Sequence, residues 1–200
     1  CPDLPLWDAK RADYYENLPE GSPGRLIFDR YFPNRQKELA KNRPKSRNQK
    51  TEEQFLGLVA DTLYRIVSGA VDHAAPNHLF FGERFQLRSN LSDPVVAAAG
   101  TYVAVFCTQA LIRSPQRPPE WQLFQADAWK HEYKVTGRPI MIIDWAAPFS
   151  LDHPYEVDIA MIKSEAEATE ETNQFLIDSF DQPYIIGNFK CQLIGSHGND

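Results

Sequence analysis

Two hydrophobic patterns alternate along the chain: short unbroken apolar runs bounded by Gly or Pro, and longer stretches in which apolar residues recur every third or fourth position. The sharpest run is Ile140-Met141-Ile142-Ile143, preceded by Gly137-Arg138-Pro139 and followed by Asp144-Trp145. A short continuous apolar run between breakers predicts a strand covered on both faces, as in parallel sheets. Three more segments read the same way: 78–85, 102–109 and 183–190 join this one, at 139–145, as predicted strands. Helical spacing appears between them. Thr51-Glu52-Glu53-Gln54 has the form of a capping box, and Phe55, Leu58, Val59, Thr62, Leu63, Ile66, Val67 and Ala70 then mark one face of a long helix ending near Ala74.

Asp93-Pro94 opens an Ala-rich helix to Gly100. Pro118-Pro119 fits the first turn of another, running from Glu120 to near Lys134, and Glu156 to Phe180 predicts a third with Phe175, Leu176 and Phe180 facing inward. The first 24 residues, punctuated by Pro2, Pro5, Pro19 and Pro23, read as irregular with a single helical turn over 8–15. A short helix over 23–32 is stopped by Pro33.

Strands separated by helices imply parallel pairing through right-handed crossovers. The expectation is therefore an α/β chain forming one domain over 1–200, with four strand–helix units that belong either to an open doubly wound sheet or to a TIM-type barrel. No Gly-rich phosphate loop follows any predicted strand, which argues against a doubly wound nucleotide-binding domain.

Charge and composition narrow the partners. The formal net charge is −6, yet seven Lys or Arg and one Glu fall between Arg35 and Lys50. That run lacks interleaved aromatics and sits in an acidic chain, so 35–50 reads as a solvated basic loop and no nucleic-acid partner is expected. No apolar run approaches the roughly 20 residues of a membrane span, so no membrane partner is expected either. Cys1, Cys107 and Cys191 have neither metal spacing nor an even count, and no cofactor is expected. Asp152-His153 with Glu156 or Asp158 offers metal ligands without a metal-site spacing. Cys107 in a strand reads as a small apolar group rather than a nucleophile.

Polar residues gather where the predicted strands end: Glu83 and Arg84, Thr108 and Gln109, Asp144 and Trp145, Lys190 and Gln192. In barrels of alternating strands and helices, the C-terminal ends of the strands carry the active site. Each residue also has a purely structural reading, Asp144 as a cap or ion-pair partner and Glu83 with Arg84 as an ion pair.

The segment Pro76-Asn77-His78-Leu79-Phe80-Phe81-Gly82-Glu83-Arg84-Phe85 resembles the fifth-strand signature of β-agarase-type glycoside hydrolases, retaining enzymes built on (β/α)₈ barrels. The resemblance continues through 102–109 and 137–145 as sixth and seventh strands and 183–192 as the eighth, while Asp3-Leu4-Pro5-Leu6-Trp7 resembles the loop after the fourth. It spans the chain but only the C-terminal half of such a barrel. The resemblance implies hydrolysis of O-glycosidic bonds in a polysaccharide or oligosaccharide, with Asp144 at the nucleophile position and Asp3 at the acid/base position. It further implies sugar contacts from Glu83, Arg84, Gln109, Trp145, Lys190 and Trp7. A polysaccharide-degrading enzyme of this kind is expected in a secreted or periplasmic setting.

The chain departs from that pattern. Both carboxylates are Asp where the family has Glu, which moves an opposed pair roughly 2 Å further apart, from the ~5 Å of retaining sites toward the ~6.5–9.5 Å of inverting ones. Ala104 replaces an aspartate, Ile159-Ala160 follow Asp158 in place of Arg-Gly, and Lys190 replaces a tryptophan. A catalytically inactive carbohydrate-binding or structural relative is the competing expectation. Four strands also leave a barrel half built, so either a missing N-terminal half or a homo-oligomer is expected to cover the open edges.

Overall fold

The computed structural model describes residues 12–35, 49–86, 91–109, 126–145 and 164–190. In chain order the elements are α1 (Ala12–Glu16), α2 (Pro23–Tyr31), α3 (Gln49–Ala74), β1 (Phe85–Gln86), α4 (Asp93–Tyr102), β2 (Phe106–Gln109), α5 (Ala126–Thr136), β3 (Ile140–Trp145), α6 (Glu165–Phe180) and β4 (Ile185–Lys190). The strands form one sheet in the order β1-β2-β3-β4, and every neighbouring pair is parallel. The architecture is α/β. Each described crossover steps to the next position in the same direction, so right-handed connections place α4, α5 and α6 on one face.

Register fixes which residues share that face. Phe85, Thr108 and Ile142 stand in one row with Asn188, and Phe106, Ile140 and Ile185 in the next. Phe85 stacks on Phe106 at 4.7 Å, and these strand residues join Phe55 of α3, Val95 of α4, Trp129 of α5 and Phe175 of α6 in a single buried cluster. The other face carries Cys107, Gln109, Met141, Ile143 and Phe189 by alternation.

The helices pack through small residues. A Cβ on Gly57 of α3 would lie 2.7 Å from Pro94 of α4, and one on Gly100 of α4 would lie 2.7 Å from the Thr136 Cα of α5. Close backbone approach at both junctions therefore requires glycine. At the N-terminal end, Phe28, Tyr31 and Phe32 surround Phe55 at ring separations of 5.6, 5.4 and 5.5 Å.

Several expected boundaries shift. The long helix begins at Gln49, so Thr51 lies inside it and does not cap it; Gln49 instead donates to Glu53 at 2.9 Å. Tyr102 belongs to α4, its hydroxyl donating to Asp61 at 2.9 Å, and β2 starts only at Phe106. In the segment expected as a strand over 78–85, Gly82 adopts φ +72° and regular pairing is confined to Phe85 and Gln86, although Ala104 N–H donates to Phe80 C=O at 2.8 Å.

Phe180, expected to face inward, is exposed, and so are Leu58, Leu63, Ile66 and Val67 of the α3 stripe. Arg35, expected in the solvated loop, is buried and bonds to buried Glu16 at 2.9 Å. Among the described residues no helix is long and apolar enough to cross a membrane.

Candidate active site

Because all four strands run the same way, their C-terminal ends lie along one margin of the sheet. Gln86, Gln109, Ile143 and Phe189 form the last full row, and Trp145 pairs with Lys190 just beyond it. The backbone thus brings Gln109, Asp144 and Lys190 to a common end. Gln86 joins them there although the sequence reading passed over it; the available signal was its place one residue beyond Phe85 in the polar tail of a short strand.

Glu83 and Arg84 stand elsewhere: they precede β1 instead of following it, so they lie away from its C-terminal end. Glu83 turns to the helical layer: the Tyr64 hydroxyl of α3 donates to its Oε1 at 2.6 Å. Burial, with the Glu83 carboxylate beside it, holds the Tyr64 phenol far above its ordinary range, so it remains a donor.

Trp145 is only 2% exposed, and its ring lies 4.2 Å from that of Phe175. A register irregularity between Ile143 and Trp145 upsets the alternation there, and the indole joins the core. It is therefore a packing residue and not an open platform for a sugar. Asp3 and Trp7 lie outside the described residues, as do Asp152, His153, Glu156 and Asp158.

Cys107 is buried, and desolvation pushes its thiol up, away from the nucleophilic thiolate. Among the described residues no three His, Cys, Asp or Glu side chains gather as a metal site would require. Among the described residues the most strongly perturbed carboxyl is Glu132 of α5, raised by burial to about 8 with the neighbouring Thr108 hydroxyl acting the other way. It lies between α5 and the sheet and belongs to the core, not to the strand ends.

No protein-family model matches the sequence, and no curated protein matches it. Solved structures do share the fold. One described as an exo-beta-agarase superposes with a TM-score of 0.61 at 23% identity over 74% of this chain. PfGH50B gives 0.62 at 20% identity over 91%, and BpGH50 gives 0.67 at 14% identity over 90%. The chain spans 19%, 27% and 38% of those three proteins respectively, so what is shared is the fold of a part of each. The chain is built like a section of each of these proteins.

Proposed function

We propose that the chain is a section of a (β/α) barrel of glycoside-hydrolase type, with a carbohydrate site at the C-terminal ends of β1 to β4. The observation that carries this reading is the unreversed order β1-β2-β3-β4 in an all-parallel sheet. A doubly wound sheet reverses direction at a switch point where its ligand binds, whereas a barrel winds one way and gathers its chemistry at the C-terminal ends. The fold shared with an exo-beta-agarase supports an agarose-like polysaccharide as the substrate class.

In this reading Asp144 is the nucleophile, or the base of an inverting reaction, and Asp3 is the acid. Two carboxyls flanking the glycosidic oxygen divide the work: one protonates the leaving oxygen while the other attacks the anomeric carbon or activates a water. Gln109 and Lys190 supply hydrogen bonds to sugar hydroxyls. Glu83, Arg84 and Trp145 have no part in it, being placed before β1 or in the core.

A second reading has a specific observation behind it: both acids are Asp at positions where the resembling enzymes have Glu. A shortened pair can retain sugar binding and lose turnover. Reducing-end release from agarose by wild type, Asp144→Asn and Asp3→Asn separates the two readings. Turnover that falls by about a hundredfold or more in each variant supports the hydrolase. Oligosaccharide binding by all three proteins without turnover establishes the binding module, and neither binding nor turnover removes both.

A further inference from the structure

Glu132 of α5 and Thr108 of β2 meet inside the layer between that helix and the sheet. Glu132 is 6% exposed and Thr108 is fully enclosed, and the hydroxyl lies beside the carboxyl. Neither Glu132 Oε2 nor Thr108 Oγ1 has a hydrogen-bond partner of regular geometry among the described residues. An ionised carboxylate is costly to bury without partners, so the enclosed group is held neutral. This setting is internal to one strand–helix unit, and further chain against the edges of the sheet would leave it enclosed.

Among the described residues no charged side chain offsets the burial of this carboxyl. The helix-facing rows of the four strands hold no titratable group. Toward α6, the neighbour is apolar, with the Phe175 ring 6.2 Å from that of Trp129. On α4, Asp93 pairs with His131 of α5 at the exposed surface, and the Tyr102 hydroxyl is bonded to Asp61. The other charged residues of α5 are Asp127, Lys130 and Lys134, and its Tyr133 stacks on Tyr184.

Thr108 also stands where the C-terminal margin is tied together. Both register pairs that join β1 to the sheet, Phe85 with Thr108 and Gln86 with Gln109, are made by Thr108 and the residue after it. Alternation sends Thr108 toward α5 and Gln109 to the opposite face, at the margin. Resting on the carbohydrate reading above, we propose that the proton on Glu132 regulates that site: the neutral carboxyl lets α5 close on Thr108 and so holds Gln109 and β1 in place, whereas the carboxylate draws water into the layer and displaces them. Glu132 is a positioning residue, acting on the sugar through Thr108 and Gln109 and touching no part of it.

Calorimetric titration of the 200-residue protein with a neutral agarose-derived oligosaccharide, at about pH 6.5 and about pH 9, tests this with Glu132→Gln and Thr108→Val as variants. Far-UV circular dichroism at both pH values reports whether the fold is kept. With Glu132 titrating near 8, about ten molecules in eleven are ionised at the higher pH, so the wild-type Kd is expected to rise about tenfold with unchanged dichroism. The amide of Glu132→Gln cannot ionise, and its Kd is expected to be the same at both. Thr108→Val removes the hydroxyl that favours ionisation, so its Kd is expected to rise less than that of wild type. Equal wild-type affinity at the two pH values, an equal loss in Glu132→Gln, a rise in Thr108→Val as large as in wild type, or dichroism lost together with affinity overturns the coupling. Oligosaccharide bound at the lower pH with no pH dependence strikes the coupling alone, whereas no binding even there strikes the carbohydrate reading and this proposal with it.

Discussion

Glu132 shows how a residue's setting changes its chemistry. Its carboxyl is buried between α5 and the sheet, its Oε2 has no hydrogen-bond partner among the described residues, and it titrates near 8 instead of 4.5. The folded state therefore holds a proton that the unfolded chain releases between those values. With more protons bound when folded, stability falls as pH rises from about 4.5 to about 8, by at most about 1.4 kcal/mol per pH unit from this group, and levels off above. Urea unfolding of Glu132→Gln is expected to lose this part of the slope and to give a midpoint above that of wild type at pH 9. An unchanged pH dependence in the variant would contradict the assignment. None of this was legible in sequence, where Glu132 is one of several charges in an ordinary helix. Trp145 was misread for a related reason, since the local irregularity that turns its ring into the core leaves no mark on the apolar pattern.

At the scale of elements, the apolar runs and helical spacings located the layers well, and the ends of the elements poorly. The run Ile140 to Ile143 was readable as a strand because two breakers and an unbroken apolar stretch leave it little else to be. Tyr102 was not readable as helix, because the feature that holds it there is a hydroxyl reaching Asp61, 41 residues away. The contacts between helices were equally invisible. Gly100 lies where α4 touches the backbone of α5, and a methyl there would come 2.7 Å from the Thr136 Cα. Backbone cannot yield as a side-chain tip does, so Gly100→Ala is expected to cost about 1–3 kcal/mol in denaturant unfolding despite the better helix propensity of alanine. A variant as stable as wild type or more so would show that the α4–α5 spacing is not fixed at this point.

For the whole molecule, strand direction was legible from the alternation of strands with helices, and the order β1-β2-β3-β4 runs without reversal among the described residues. The candidate site was legible only in part. Gln109, Asp144 and Lys190 come to one margin because parallel strands share an end, a consequence of topology that sequence can anticipate. Glu83 and Arg84 were misplaced because regular pairing in their segment begins only after Gly82, so a residue taken for a strand's end lies before it. The central claim is that the C-terminal margin of this sheet is where carbohydrate binds, and titration of isotope-labelled protein with an agarose-derived oligosaccharide tests it most directly through backbone amide shifts. The account predicts perturbations at Gln86, Gln109, Asp144 and Lys190, with Phe106, Ile140 and Ile185 at the opposite ends of the strands unmoved. Perturbations confined to those opposite ends, or none at saturating oligosaccharide, would contradict it.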